Sequence, residues 1–156
     1  MGENVNDRAG VIAPPPLIYL GFIVVGLALE YIWPAPLLAQ DLQYWVGAVL
    51  IAVAFLIFVP AMMLFFKAKT NIDPHKPTTA IISKGPFRWT RNPLYLALAV
   101  LQLGIAAAVD GIWIALMIVP AVIVIHYGVI AREERYLERK FGDEYLSYKA
   151  AVRRWV

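Results

Sequence analysis

The sequence predicts an all-α integral membrane protein: a single domain over residues 1–156 with four transmembrane helices and a C-terminal amphipathic helical segment. The first reason is composition, because 61% of the 156 residues are hydrophobic and 16% are charged, whereas soluble domains carry about 25% charged residues. The second is a set of four long apolar stretches near the roughly 17–25 residues that a membrane-spanning helix needs. The third is the placement of the basic residues, which all lie outside these stretches.

The apolar stretches cover residues 16–33, 44–66, 93–109 and 111–130. The first, second and fourth are long enough to cross a bilayer, whereas the third is at the short limit and has an alternative interpretation as a buried or re-entrant half-length helix. Only Asp110 and Gly111 join the third to the fourth, so these two are predicted to form a tight helical hairpin. Pro60 and Pro120 interrupt the second and fourth stretches, and we expect kinks that a membrane helix tolerates.

The 14 lysines and arginines predict the orientation. One precedes the first stretch, six lie between the second and third, and seven follow the fourth, while the two remaining loops hold Asp41 and Asp110 and no basic residue. By the positive-inside rule, both termini and the 67–92 loop are predicted to be cytoplasmic. An aromatic belt is predicted at the outer boundary, formed by Trp33, Tyr44, Trp45 and Trp113.

After residue 130 the sequence becomes charged and amphipathic. A helix is predicted over 131–141, with Gly142 as its C-cap and a second short helix from about Asp143. Its apolar positions predict that this segment lies along the membrane surface.

The 67–92 loop is long, and loops of this length in compact domains are usually functional or disordered. Gly85-Pro86 indicates a turn, and Asn92-Pro93 indicates a helix start with Asn92 as N-cap and Pro93 at the first helical position. A helix N-terminus beside Arg91 suits a carboxylate or phosphate. The alternative is that Arg88 and Arg91 contact lipid headgroups and fix the topology.

Two adjacent acids, Glu133 and Glu134, follow the fourth stretch directly. Neighbouring residues on a helix point about 100° apart, so one acid can face the bundle while the other meets water. One interpretation is a solvated helix face, with Glu134 paired to the arginines near Glu138. The other is that one acid faces the loop and forms an ion pair with Arg91.

His126, within the fourth stretch, and His75, in the loop, can each be hydrogen-bonded scaffold or take part in chemistry. With no cysteine and no HExxH-like spacing, no metal site is predicted. No nucleotide fingerprint, serine hydrolase elbow or nucleic-acid module occurs either. The apolar helices also lack an internal charged pair of the kind that lines an ion path, which argues against a transporter.

Two segments carry a resemblance to known proteins: "KPTTAIISKGPFRWTRNPLY" at 76–95 and "EERYLERKFGDEYLSYK" at 133–149. They contain, in order, the patterns G-P-aromatic, R-[HN]-P-x-Y, E-E-x-x-L and F-G-x-x-Y-x-x-Y. The sequence thereby resembles the isoprenylcysteine carboxyl methyltransferase-like and phospholipid methyltransferase superfamily of integral-membrane methyltransferases, as a bacterial-type member. The resemblance covers about 67–154. It departs at Asn92, where the protein-modifying branch usually has His, and this leaves the methyl acceptor open.

The resemblance implies S-adenosyl-L-methionine as cofactor, bound in the 67–154 half on the cytoplasmic side, most simply of a bacterial inner membrane. It also implies a lipophilic acceptor, a carboxylate, thiol or amine, that enters from the bilayer. The alternatives are phospholipid headgroup N-methylation and a non-catalytic scaffold that binds anionic lipid. Arg91, Glu133 and Glu134 are the implied catalytic residues. The implied cofactor-binding residues are Lys84, Gly85, Pro86, Phe87, Arg91, Asn92, Pro93, Tyr95, His126, Glu133 and Glu134.

Overall fold

The structure is a computed structural model that describes residues 8–71 and 76–156, so the prediction for His75 lies outside the described residues. Its helices are α1 (Pro15–Ile32), α2 (Gln40–Ala68), α3 (Pro93–Ala108), α4 (Ile112–Leu116), α5 (Ile118–Ile125), α6 (Ala131–Phe141) and α7 (Asp143–Ala151). A 3₁₀ turn covers Gly85–Arg88, and a π-helical segment covers His126–Ile130. No strand occurs in the described ranges, and the all-α prediction is confirmed.

Three apolar helical segments in the part of the chain that the structure describes are long enough to cross a membrane. They are Pro15–Ile32, Asp41–Ala68 and Ile112–Phe141. The third predicted span corresponds to α3, which has 16 residues and is therefore about 24 Å long, against a hydrocarbon core of about 30 Å. Residues 8–71 and 76–156 thus contain three candidate membrane spans and one shorter apolar helix.

Small residues let these helices approach closely. A Cβ atom built on Gly47 of α2 would lie 2.7 Å from the Cβ of Ala108 at the end of α3. One built on Gly26 of α1 would lie 2.7 Å from the backbone of Ile114 in α4. In a bilayer, where van der Waals packing drives helix association, such positions favour close contact. As a result α2 packs along α3, while α1 packs against α3, α4 and α5.

The fourth apolar stretch is less regular than the sequence predicts. Helix α4 ends at Leu116 and α5 begins at Ile118, because Pro120 has no N–H to donate to the carbonyl of Leu116. The interruption therefore lies one turn before the proline. Further along, the chain widens into the π-helical segment that starts at His126, a feature that is frequent at functional sites.

At one end of the bundle, carboxylates hold the loops. Asp110 Oδ1 accepts hydrogen bonds of 2.8 Å from the backbone N–H groups of Leu37 and Leu38. Glu30 Oε1 accepts one of 2.7 Å from the N–H of Ala35. The Asp110 bonds join the α1–α2 connection to the α3–α4 turn, and the Glu30 bond holds the start of that connection against α1. The candidate site lies at the opposite end.

Candidate functional site

A cavity of about 580 Å³ opens where the C-terminal end of α2, the start of α3, α6 and α7 meet. Its polar wall includes Arg91, Asn92, Tyr95, Glu133, Glu134, Tyr136, Tyr145 and Tyr148. Its apolar wall includes Phe58, Met62, Phe65, Phe87, Leu98 and Leu137. The cavity therefore has a charged side near the loop and an apolar side along the membrane helices.

Helix α3 begins at Pro93, with Asn92 in the N-cap position and proline at N1, as the sequence predicts. The Asn92 side chain, however, makes no capping hydrogen bond. Its amide instead donates to the carbonyl of Arg154 at 2.9 Å, and the Thr90 hydroxyl donates to the same carbonyl at 3.1 Å. The Asn92 side chain thus bonds to a carbonyl 62 residues along the chain, and the expected side-chain cap of α3 is not formed.

The buried guanidinium of Arg91 joins three elements. Its Nη2 and Nε donate to Glu134 Oε1 of α6 at 2.7 and 3.2 Å. Its Nη1 donates to the carbonyls of Lys149 and Val152, at the end of α7, at 2.9 and 2.5 Å. Arg91 thus holds the loop, α6 and α7 in one arrangement.

Glu134 lies between two arginines. Besides Arg91, it contacts Arg154, whose Nη2 donates to Oε2 at 2.5 Å and whose Nε donates to Oε1 at 3.0 Å. The hydrogen bond with Glu134 raises the pKa of Arg154 above its ordinary value. Glu134 is 4% exposed, so the interpretation of a solvated helix face paired to arginines near Glu138 is wrong for this acid.

Glu133 has different surroundings, as the 100° rotation between helix neighbours requires. Its Oε1 accepts a hydrogen bond of 2.7 Å from the hydroxyl of Tyr95 in α3, and the residue lines the cavity. The carbonyl of Tyr95 in turn accepts one of 3.1 Å from the hydroxyl of Tyr19 in α1. Among the described residues, Glu133 forms no salt bridge, so it is the carboxylate that is available to a ligand.

Helix α7 contributes two tyrosines that the sequence reasoning did not assign to the site. Tyr145 is buried and Tyr148 donates from its hydroxyl to the carbonyl of Phe87 at 2.8 Å. Burial raises the pKa of Tyr148 to about 12. Both rings line the cavity, and the position of α7 along the membrane surface stays a prediction. The F-G-x-x-Y-x-x-Y pattern contained both residues and was the signal available.

Four of the predicted site residues do not line this cavity: Lys84, Gly85, Pro86 and His126. Lys84 is exposed. Gly85 has a φ of +57°, and a Cβ atom there would lie 2.9 Å from Leu64 Cδ1, so its backbone approaches α2 closely. His126 reaches the site indirectly, since its Nε2 lies 2.7 Å from Nη1 of Arg154. The remaining predicted residues, Phe87, Arg91, Asn92, Pro93, Tyr95, Glu133 and Glu134, are brought together.

The sequence does not predict the apolar wall of the cavity either. Phe58, Met62 and Phe65 come from α2 at spacings of four and three residues, which places them on one face of the helix. Phe58 lies ten residues before the end of α2 at Ala68, which is about 15 Å along the axis. In an unbroken apolar helix, nothing local distinguishes a face that lines a cavity from a face that contacts lipid.

Within the described ranges, no group of three His, Cys, Asp or Glu side chains is placed to hold a metal ion. The ligand chemistry that remains is that of one available carboxylate, one buried ion-pair cluster and several aromatic rings. Such a site can bind a cationic or hydroxyl-bearing group.

Comparison with known proteins agrees with the sequence resemblance. The family model described as phospholipid methyltransferase matches residues 42–144. The chain is also similar to an uncharacterized protein of Haemophilus influenzae, with 54% identity over 44 residues that cover 28% of this chain and 67% of that protein. No solved structure matches. The family match extends over well more than half of the chain, from the start of α2 into α7, and the protein therefore belongs to the phospholipid methyltransferase family of membrane methyltransferases.

Proposed function

We propose that the protein is an S-adenosyl-L-methionine-dependent methyltransferase that methylates a lipophilic acceptor, a carboxylate, thiol or amine, from the bilayer. The proposal is supported by one observation: the same cavity has a charged wall on α6 and an apolar wall on α2. The chain that forms it belongs to a family of methyltransferases. The 67–154 half supplies most of the charged wall. We further propose that α3 crosses the bilayer as a fourth, short span, with the cavity on the cytoplasmic side of the inner membrane.

The residues present fit this cofactor. The cavity volume of about 580 Å³ is within the roughly 300–1,000 Å³ of ligand pockets. The Glu133 carboxylate can accept hydrogen bonds from an ammonium group or ribose hydroxyls. The rings of Tyr95 and Phe87 can face a sulfonium or an adenine. When bound, the cofactor supplies an electrophilic methyl group.

The two acids and Arg91 have separate roles in this proposal. Glu133 contacts the ligand, because its carboxylate lines the cavity and has no cationic partner among the described residues. Glu134 acts as the counter-ion of Arg91 and Arg154. Arg91 positions the start of α3 and α7, because three of its nitrogens already donate to Glu134 and to backbone carbonyls. The N–H groups at the start of α3 remain for a carboxylate.

The apolar wall serves the acceptor. Met62 and Phe58 continue the cavity along a membrane helix, so a hydrocarbon chain can lie there while its reactive end reaches the polar wall. Methyl transfer is an in-line displacement that depends on orientation and exclusion of water. The surrounding tyrosines and apolar side chains provide both.

Binding of S-adenosyl-L-methionine, or of its demethylated product, to detergent-purified protein tests the proposal by isothermal titration calorimetry. We expect saturable binding that Glu133→Gln weakens at least tenfold, because it removes the charge available to an ammonium group. The exposed acid Glu144 on α7 provides the matched control, Glu144→Gln, which should bind as the wild type does. Absence of saturable binding below millimolar concentration would refute the proposal and favour a scaffold that binds anionic lipid.

The family description favours one particular acceptor, a phospholipid headgroup amine. Transfer of a tritiated methyl group into total membranes, followed by extraction, separates the candidates. Label in the phospholipid fraction supports headgroup N-methylation, whereas label in a smaller lipophilic product supports the broader proposal.

A further inference from the structure

The last five residues of the sequence, 152–156, form a tail segment that packs against the loop before α3. Thr90 and Arg153 form an isolated parallel bridge, and the N–H of Arg91 donates to the carbonyl of Arg153 at 2.9 Å. The carbonyl of Arg154 accepts from both Thr90 and Asn92. The tail segment therefore contacts the loop residues on either side of Arg91.

The Arg154 side chain extends from this segment to α6 and the π-helical segment. Its guanidinium contacts both oxygens of Glu134 and lies 2.7 Å from Nε2 of His126. The next residue, Trp155, has its indole N–H 3.2 Å from Nδ1 of the same histidine. His126 thus lies between two tail residues.

Glu134 depends on Arg154 for one of its two oxygens. Oε1 accepts from Arg91 and from Nε of Arg154, but the partner that the structure gives Oε2 is Arg154 alone among the described residues. Without Arg154, the carboxylate can rotate, and the fork of Arg91 loses the fixed acceptor that orients it. Glu133 is the adjacent residue on α6, so a shift of the helix segment that carries Glu134 would also move Glu133 relative to Tyr95 and the cavity.

We infer that Arg154 is a positioning residue for the methyl-donor site: it orients Glu134 and Arg91 from outside the cavity, so that Glu133 faces the donor. Arg154 does not line the cavity itself, and it therefore acts through the residues that do. The inference rests on the proposed function, and it extends the site to the tail segment, which lies beyond the residues 42–144 that the family model matches.

The test compares Arg154→Ala, Arg154→Lys and Arg135→Ala. Arg135 is the matched control, since it is an exposed arginine adjacent to Glu134 in the sequence and no contact of its side chain is described. The measurements are the affinity for the demethylated donor product by calorimetry, and the KM values for donor and acceptor with kcat by tritiated-methyl transfer. Thermal unfolding of each variant provides the comparison of stability.

We expect Arg154→Ala to weaken product binding and to raise the donor KM about tenfold. This is the factor expected when the ligand loses one charge-assisted hydrogen bond, here the one to Glu133. The acceptor KM and kcat at saturating donor should stay within about twofold, since the residue contacts neither ligand. Arg154→Lys should recover part of the affinity, because an ammonium can still contact Glu134. If Arg154→Ala does not fold, the donor-specific loss in Arg154→Lys decides the question.

Equal product affinity in wild type and Arg154→Ala would overturn the inference while leaving the proposed function intact. The same loss in Arg135→Ala, or parallel changes in both KM values that follow the thermal midpoint, would also overturn it, since these indicate a general structural role. Wild-type protein that does not bind the product would refute the proposed function and, with it, this inference.

Discussion

Replacing Glu134 with glutamine should destabilise the protein far more than the same change at Glu133. The side chains of Arg91 and Glu134 are 8% and 6% exposed, so the substitution leaves a buried guanidinium without its counter-ion. Breaking a buried ion pair by removing one partner costs about 3–5 kcal/mol.

The structure places the expected cost at the lower end of that range. Arg154 is 31% exposed and can turn toward water, and Arg91 keeps the carbonyls of Lys149 and Val152 as acceptors. A loss of about 3 kcal/mol in the free energy of unfolding corresponds to more than a hundredfold change in the unfolding equilibrium. Glu133→Gln keeps an amide oxygen that accepts from Tyr95, so its cost should stay below about 1 kcal/mol.

Unfolding in mixed micelles with increasing denaturing detergent measures both variants. Helix content followed by circular dichroism reports the global transition, and the fluorescence of the five tryptophans reports tertiary structure. A cost below about 1 kcal/mol for Glu134→Gln, or equal costs for Glu133→Gln and Glu134→Gln, would show that the cluster of two arginines and one carboxylate does not stabilise this end of the fold.

Three further predictions address packing, pH dependence and the acceptor wall. Gly47→Ala should destabilise by about 1–3 kcal/mol because its methyl group would overlap α3, whereas Gly21→Ala, at a position with open space around it, should not, as measured in the same unfolding assay. Burial raises the pKa of Tyr148 to about 12 from its ordinary value of 10, so folding favours the protonated hydroxyl. The stability that this preference contributes is complete below pH 10 and is lost as the pH rises toward 12. Tyr148→Phe should therefore flatten the fall of the thermal midpoint between pH 10 and pH 12. A steeper fall in the phenylalanine variant would contradict this sign. Met62→Ser should raise the acceptor KM without changing donor affinity, whereas Met63→Ser, on the exposed side of α2, should change neither.

The sequence predicts the boundaries of several elements closely because residues with strong backbone preferences mark them. Pro93 begins α3, and Gly142, with a φ of +52°, separates α6 from α7. The pairing of Arg91 with one of the two adjacent acids is one of the two interpretations that the sequence leaves open, since neighbouring residues on a helix point about 100° apart. Which acid would be buried could not be predicted, because the π-helical segment before α6 changes the rotation of the helix and has no sequence signature of its own.

The missed parts of the site share a physical cause. In the sequence, Arg154 is one of the seven basic residues after the fourth apolar stretch, and its distance of 20 residues from Glu134 gives no periodic relation to detect. Met62 and Phe58 look the same in sequence as the lipid-facing residues of α2. Contacts that depend on how distant helices pack cannot be found from local pattern alone.

The apolar wall along α2 has a consequence for enzymology. If the acceptor reaches the site by lateral movement in the bilayer while the donor arrives from the aqueous phase, their concentrations are set in two different phases. Diluting the protein and its acceptor with inert detergent or lipid, at constant bulk volume, should then slow methylation by lowering the acceptor's mole fraction. Rates from different preparations can be compared only when the mole fraction of the acceptor in the membrane or micelle is specified.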